Sequence, residues 1–104
     1  MKLHVLKEAE EELAEAIQYY DEIHTGLGVR LKNQVRHAIK WVEFNAGLPR
    51  IRSNGYRRVN CKSFPYYIAY IIQENEIFVV AIANGYKLPE YWIERLKSGR
   101  GGKK

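Results

Sequence analysis

Phe64-Pro65-Tyr66-Tyr67-Ile68-Ala69-Tyr70-Ile71-Ile72 and, past Gln73-Glu74-Asn75-Glu76, Ile77-Phe78-Val79-Val80-Ala81-Ile82-Ala83 decide the fold of this chain. Both runs are rich in β-branched and aromatic residues and neither alternates with polar ones. They predict two strands joined by a hairpin, with no solvated face. Such strands form the middle of a sheet and need cover from elsewhere in the chain. The chain leaves them through Asn84-Gly85-Tyr86-Lys87-Leu88-Pro89-Glu90-Tyr91-Trp92, a short polar and aromatic exit. Loops of this kind, held by a rigid scaffold, are where function usually sits.

Upstream, Leu3 and Val5 mark a short first strand. Ala9, Leu13, Ala16, Ile17 and Tyr20 then recur at helical spacing. His24-Thr25-Gly26-Leu27-Gly28 ends that helix, and a second is predicted from about Gly28 to Phe44 with Leu31, Val35, Ala38, Ile39 and Val42 as its stripe. Gly47 is available for a left-handed cap, with Pro49 beyond it. A short link between two such helices implies an antiparallel helical hairpin. Asn54-Gly55 reads as a turn, Tyr56-Arg57-Arg58-Val59-Asn60-Cys61 as a strand of mixed polarity, and Glu90 to Lys97 as a short last helix opened by Pro89. The expected architecture is α+β in the order β-α-α-β-β-β. The hairpin covers one face of a small, mostly antiparallel sheet, and the opposite face is left for ligands or partners.

A chain of 104 residues suits one domain, placed at residues 1–97, with residues 98–104 expected to form a disordered basic tail. The lone Cys61 excludes an internal disulfide and a cysteine-based zinc cage, so a cytoplasmic setting is expected. No apolar run is long enough to span a membrane and the N-terminus does not read as a secretion signal. Neither a metal nor another cofactor is expected, because no ligand spacing or phosphate loop occurs. Net charge is +5, unevenly spread: seven acids lie between Glu8 and Glu22, then nine bases and one acid between Ile23 and Gln73. The basic middle should attract a polyanion or an acidic protein.

Several stretches in order carry a family resemblance: Glu8-Ala9-Glu10-Glu11-Glu12-Leu13, Tyr19-Tyr20, Gly26-Leu27-Gly28-Val29-Arg30, Arg57-Arg58-Val59, the Phe64-Pro65-Tyr66 strand and the Pro89-Glu90-Tyr91-Trp92 ending. Over residues 2–96 the chain resembles the RelE/ParE superfamily of toxins from bacterial type II toxin–antitoxin modules, also called plasmid stabilisation proteins. The resemblance implies a toxin held inactive by a cognate antitoxin. One branch cleaves messenger RNA in the ribosome as an mRNA interferase, and the other poisons DNA gyrase. Nucleases of the family usually place an arginine three residues before the tyrosine corresponding to Tyr70, where this chain has Tyr67. Many relatives carry a histidine or arginine after the last strand, where this chain has Asn84 and Gly85. The departures point to a ParE-like gyrase inhibitor that acts by binding. The rival readings are an endoribonuclease built from Arg58, Lys62, Tyr66, Tyr86 and Lys87, and a non-toxic relative that binds only antitoxin or nucleic acid.

Arg50, Arg52, Arg57, Arg58, Lys62 and Lys87 are the candidates for binding the target or nucleic acid. Lys32, Arg36 and Lys40, a stripe at i, i+4, i+8, are the candidates for binding a small antitoxin with an acidic segment. Each has a plainer reading. A charge stripe opposite an apolar one is usually the wet side of a helix. Tyr66, Tyr67 and Tyr70 suit a half-buried strand, Cys61 a small hydrophobic site, and Tyr91 and Trp92 an anchor for the last helix. The histidines lack a catalytic constellation.

Overall fold

The computed structural model describes residues 1–98; the basic tail assigned above falls, apart from Ser98, outside the described residues. Along the chain run β1 (Lys2–Val5), α1 (Lys7–Ile23), α2 (Leu27–Asn45), β2 (Arg57–Asn60), β3 (Tyr66–Gln73), β4 (Glu76–Asn84) and α3 (Arg95–Ser98). The strands form one sheet in the order β1-β4-β3-β2. β1 runs parallel to β4, and the other two pairings are antiparallel. The α+β order and the helical hairpin are as the sequence predicts.

The hairpin of helices depends on two glycines. Gly26 precedes α2 at φ +91°, a left-handed conformation that disfavours a side chain. Gly28 donates its N–H to Asp21 Oδ1 at 2.7 Å, and a Cβ there would lie 2.4 Å from the Ile17 carbonyl oxygen. Gly47, by contrast, does not adopt the left-handed cap expected of it: Ala46 ends α2 in right-handed geometry.

Both faces of β3 and β4 are apolar because both are buried. Ile68, Tyr70, Ile77, Val79 and Ile82 pack beneath the helices against Leu31, Val35 and Val42. Tyr67, Ala69, Ile71, Val80, Ala81 and Ala83 form a second cluster on the opposite face, closed by Tyr56 and Trp92. A β-bulge makes this possible. Ala69 faces Ala81 but Tyr70 faces Val79, so Val80 is an extra residue and Val80 and Ala81 both turn to the second face.

The expectation that this second face is left open is therefore corrected. Residues 90–96 lie across it, with Trp92 only 1% exposed. The cover is not the helix expected from Glu90. Glu90 adopts φ +59°, outside helical geometry, while its carboxylate accepts hydrogen bonds from the Tyr56 hydroxyl at 2.8 Å and Asn54 Nδ2 at 3.0 Å. Turns follow, and helix begins only at Arg95. Trp92 donates its indole N–H to the Tyr67 hydroxyl at 2.8 Å and meets the Tyr56 ring edge to face, centroids 4.6 Å apart. Trp92→Ala is expected to destabilise the fold by about 3–5 kcal/mol, and Tyr67→Phe, which keeps the packing, by about 1 kcal/mol. Urea unfolding curves of the three proteins test this ordering.

Candidate functional site

Three surfaces carry the residues singled out in the sequence. The first is the covered sheet face. Arg57 and Arg58 are adjacent on β2 and so point to opposite faces. Arg57 turns to the helical side and donates to the Gly47 and Pro49 carbonyls at 2.7 and 3.0 Å, pinning the loop after α2. Arg58 lies on the other face, its guanidinium 3.8 Å from the Tyr67 ring centroid and donating to Asn60 Oδ1 at 3.0 Å. Its Nε is buried without an acceptor among the described residues. Tyr67, which stands where nuclease relatives are expected to have arginine, is 5% exposed. Its hydroxyl is occupied by Trp92.

The second surface is a cleft between α1 and the exit of β4, about 370 Å³ in volume, lined by Glu12, Glu15, Tyr19, Tyr20, Tyr66, Asn84, Tyr86, Lys87 and Tyr91. Tyr66 reaches it from the helical side of β3, and Tyr86 from the exit loop, where its N–H is held by Asn84 Oδ1 at 2.8 Å. Lys87 lies with its ammonium 5.2 Å from the Tyr91 ring centroid. The cleft floor is fixed by Glu12, a residue sequence reasoning passed over as one of many surface acids. Its Oε1 accepts the Ile82 N–H at 3.0 Å; its Oε2 accepts from the Tyr91 hydroxyl and, at 3.0 Å, from Arg95. Arg95 also donates to the Val80 carbonyl at 3.1 Å. These partners complete β4 where β1 has already ended. No sequence period marks Glu12; the only signal is that it stands one residue before Leu13 of the apolar stripe.

The third surface is a groove between α2 and β2 that contains Lys62, with Arg36 and Lys40 on its continuation along the helix. Lys32 is exposed on α2 but lies outside that groove. Arg50 is exposed and Arg52 half-buried in the loop between α2 and β2. The structure thus brings Tyr66, Tyr86 and Lys87 together, but sets Lys62 in a different depression and Arg58 on a different sheet face. His4 donates to Glu76 at the β1 edge, stacked on Phe78, while His24 follows α1 and His37 lines the groove. Among the described residues no cluster of three or more His, Cys, Asp or Glu is placed to hold a metal ion.

Burial raises the pKa of Tyr20, Tyr56, Tyr66, Tyr70 and Tyr91 above the usual phenol value. For Tyr91 the bond to Glu12 adds to it. Burial works against the Arg95 charge, but the bond and attraction to Glu12 outweigh it and leave that pKa raised. Burial also pushes the Cys61 thiol up, so it is less nucleophilic than a free cysteine. Within the cleft, Tyr20, Tyr66 and Tyr91 are thereby held as neutral phenols, poor general bases near neutral pH.

Residues 3–88 match the family described as ParE toxin of the type II toxin–antitoxin system parDE. Among solved structures the chain is similar to one titled "Chromosomal ParDE TA system from P. aeruginosa", with a TM-score of 0.72 at 17% identity, covering 81% of this chain and 95% of that one. No curated protein sequence matches significantly.

Two outcomes follow from the cleft. A phenol whose folded pKa lies above its unfolded value of about 10 contributes stability fully below that pH. The contribution is lost as pH climbs through the folded value. Unfolding free energy should therefore fall from about pH 10 upward, less steeply in Tyr91→Phe, in denaturant titrations across that range. Glu12→Ala should destabilise by about 2–3 kcal/mol, and hydrogen exchange of the Ile82 amide should accelerate before that of Ile68 in the centre of the sheet.

Proposed function

The chain belongs to the ParE toxin family, and on that footing we propose that it is the toxin of a type II toxin–antitoxin pair. It works in the cytoplasm, inhibits growth by binding DNA gyrase, and is neutralised by a small antitoxin with an acidic segment. Among the described residues no helix is long and apolar enough to cross a membrane, and the single cysteine suits a reducing compartment.

The observation that supports binding over cutting is the filled sheet face. RNA cleavage by 2′-hydroxyl attack needs a base, an acid for the leaving group and a cation for the phosphorane charge, all within reach of one phosphate. Tyr67 occupies the expected arginine slot, and Trp92 and Arg58 close over it. The nuclease candidates Arg58, Lys62 and the trio Tyr66, Tyr86 and Lys87 stand on three separate surfaces. Arg57 is engaged by two carbonyls, which leaves Arg50, Arg52, Arg58, Lys62 and Lys87 as charges for a target. Apolar contact area is available near the first two: Phe44, Leu48 and Ile51 are all more than half exposed. The Lys32, Arg36 and Lys40 stripe is wholly exposed and fits an acidic antitoxin.

Induced expression of the chain alone is expected to arrest growth, and the purified protein to inhibit supercoiling by purified gyrase while cellular messenger RNAs stay intact. Codon-specific RNA cuts on induction would replace the gyrase reading with the nuclease one. Unhindered growth would leave a non-toxic binding protein.

A further inference from the structure

The cleft between α1 and the exit of β4 gathers five of the chain's eight tyrosines, Tyr19, Tyr20, Tyr66, Tyr86 and Tyr91. Their rings do not stack on one another. Tyr19 meets Tyr20 at an interplanar angle of 82° and Tyr20 meets Tyr66 at 69°, both edge to face. That arrangement leaves ring faces without an aromatic partner. Tyr19 is 58% exposed, and Tyr86, which makes no ring contact among the described residues, is 86% exposed. The backbone imposes the exposure of Tyr86. Gly85 N–H donates to the Pro65 carbonyl at 2.7 Å, Tyr86 N–H to Asn84 Oδ1 at 2.8 Å and Lys87 N–H to the Asn84 carbonyl at 3.1 Å. The turn is fixed before any partner arrives, so it presents the Tyr86 ring at the rim of the cleft with little ordering left to lose.

An acid stands beside these rings. Glu15 lines the cleft one helical turn before Tyr19, is exposed, and has no ion pair or hydrogen bond among the described residues. It belongs to a helix that carries seven acids against one base, Lys7, so the field on this side opposes the net charge of +5. At the cleft floor the chain itself shows what a carboxylate and a phenol ring bind together. Arg95 donates to Glu12 Oε2 at 3.0 Å, with its guanidinium carbon 5.7 Å from the Tyr91 ring centroid. Glu12 and Glu15 are neighbours on α1 at i, i+3. The first has its arginine and the second has none. Lys87 also lies over Tyr91, so both internal cations are drawn to that ring and leave Tyr19 and Tyr86 free.

We propose that the cleft receives an arginine side chain of a partner protein, its guanidinium hydrogen-bonded to Glu15 and laid against the Tyr19 and Tyr86 rings. A guanidinium is planar and weakly hydrated, and its N–H groups lie in its plane. It therefore stacks on a phenol while it donates to a carboxylate, which an ammonium does less well. An anion would find Lys87 but would be opposed by Glu15. An apolar side chain would desolvate the Glu15 carboxylate and offer it no donor. On the toxin reading the owner of this arginine is the target, since the antitoxin is expected to present acids. The inference rests on that reading for the owner alone; the recognition follows from the cleft.

The test titrates the full, isotope-labelled chain with a blocked Gly-Arg-Gly tripeptide and with the same tripeptide carrying citrulline, the uncharged isostere of arginine. The amide signals of Glu15, Tyr19 and Tyr86 should move in a saturable way with the arginine peptide and stay still with the citrulline one. Affinity should fall about fivefold in Glu15→Gln and in Tyr86→Ala, both at exposed positions and both checked for folding by circular dichroism. It should rise in Lys87→Ala, which removes a like charge from the cleft. Signals that do not respond, that respond equally to citrulline, or that respond less in Lys87→Ala would overturn the proposal. So would adenosine monophosphate that moves them at lower concentration, which would give the rings to a nucleobase, or shifts that follow the protein's own concentration without peptide, which would give them to a second copy. A Glu15→Gln, Tyr86→Ala double variant should also inhibit gyrase supercoiling less than the original chain; equal inhibition would overturn the assignment of the arginine to the target. A chain that binds the peptide but does not arrest growth would sink the toxin reading and leave the arginine site standing.

Discussion

One carboxylate joins the three layers of this protein. Glu12 projects from α1 past the point where β1 ends, and there it completes β4 by accepting the Ile82 N–H. Its other oxygen receives Tyr91 and Arg95 from the segment that lies across the opposite sheet face. Helices, sheet and cover therefore meet at a single acid whose side chain is 17% exposed. A partly buried carboxylate is tolerable only when its lone pairs are satisfied, and here three donors satisfy them. Removal of the acid would leave a strand amide without a partner, a phenol without an acceptor and an arginine without its ion-pair partner, in one place.

The need for that junction follows from the central strands. A sheet buried on both faces must be covered twice, and a chain of this size has one helical hairpin to spend on the task. The second cover comes from residues 90–96, beyond the stretch matched to the family, which ends at residue 88. A segment of that length brings little area of its own, so it is fixed by few and strong contacts: the Trp92 indole on Tyr67, the Glu90 carboxylate on Tyr56, and the two bonds to Glu12. The bulge at Val80 serves the same end. By turning Val80 and Ala81 to one side it sets small side chains under Trp92 and returns Ile82 to the helical core.

The order of elements, the helical stripes and the hairpin of central strands were legible because each has a period or a turn that a sequence displays. Gly26 and the opposed directions of Arg57 and Arg58 were legible for the same reason. The closed second face was not. Two strands apolar on both sides look alike whether a ligand, a partner or their own C-terminal segment covers them, and a bulge leaves no trace where every residue is apolar. Glu12 was hidden among neighbours Glu10, Glu11 and Glu15 because its role depends on where β1 stops, a tertiary fact. The last helix was placed too early because Pro89 suits a first turn; the bonds that hold Glu90 out of the helix come from Asn54 and Tyr56, more than thirty residues away in the chain.

These constraints bear on what the molecule can do. Chemistry on a phosphate requires a site where opposed functions converge, and the chain has used its second sheet face to finish its own core. What remains open is the cleft beside α1, a sheet edge, a groove and exposed apolar side chains beside bases, from Arg36 to Arg52. Surfaces of that kind recognise other proteins, through backbone pairing, apolar anchors and charge. Glu12 of α1 is spent internally while Glu8, Glu10, Glu11 and Glu15 stay exposed, and no acid lines the basic groove. A small basic protein with an unpaired edge is prone to non-specific association.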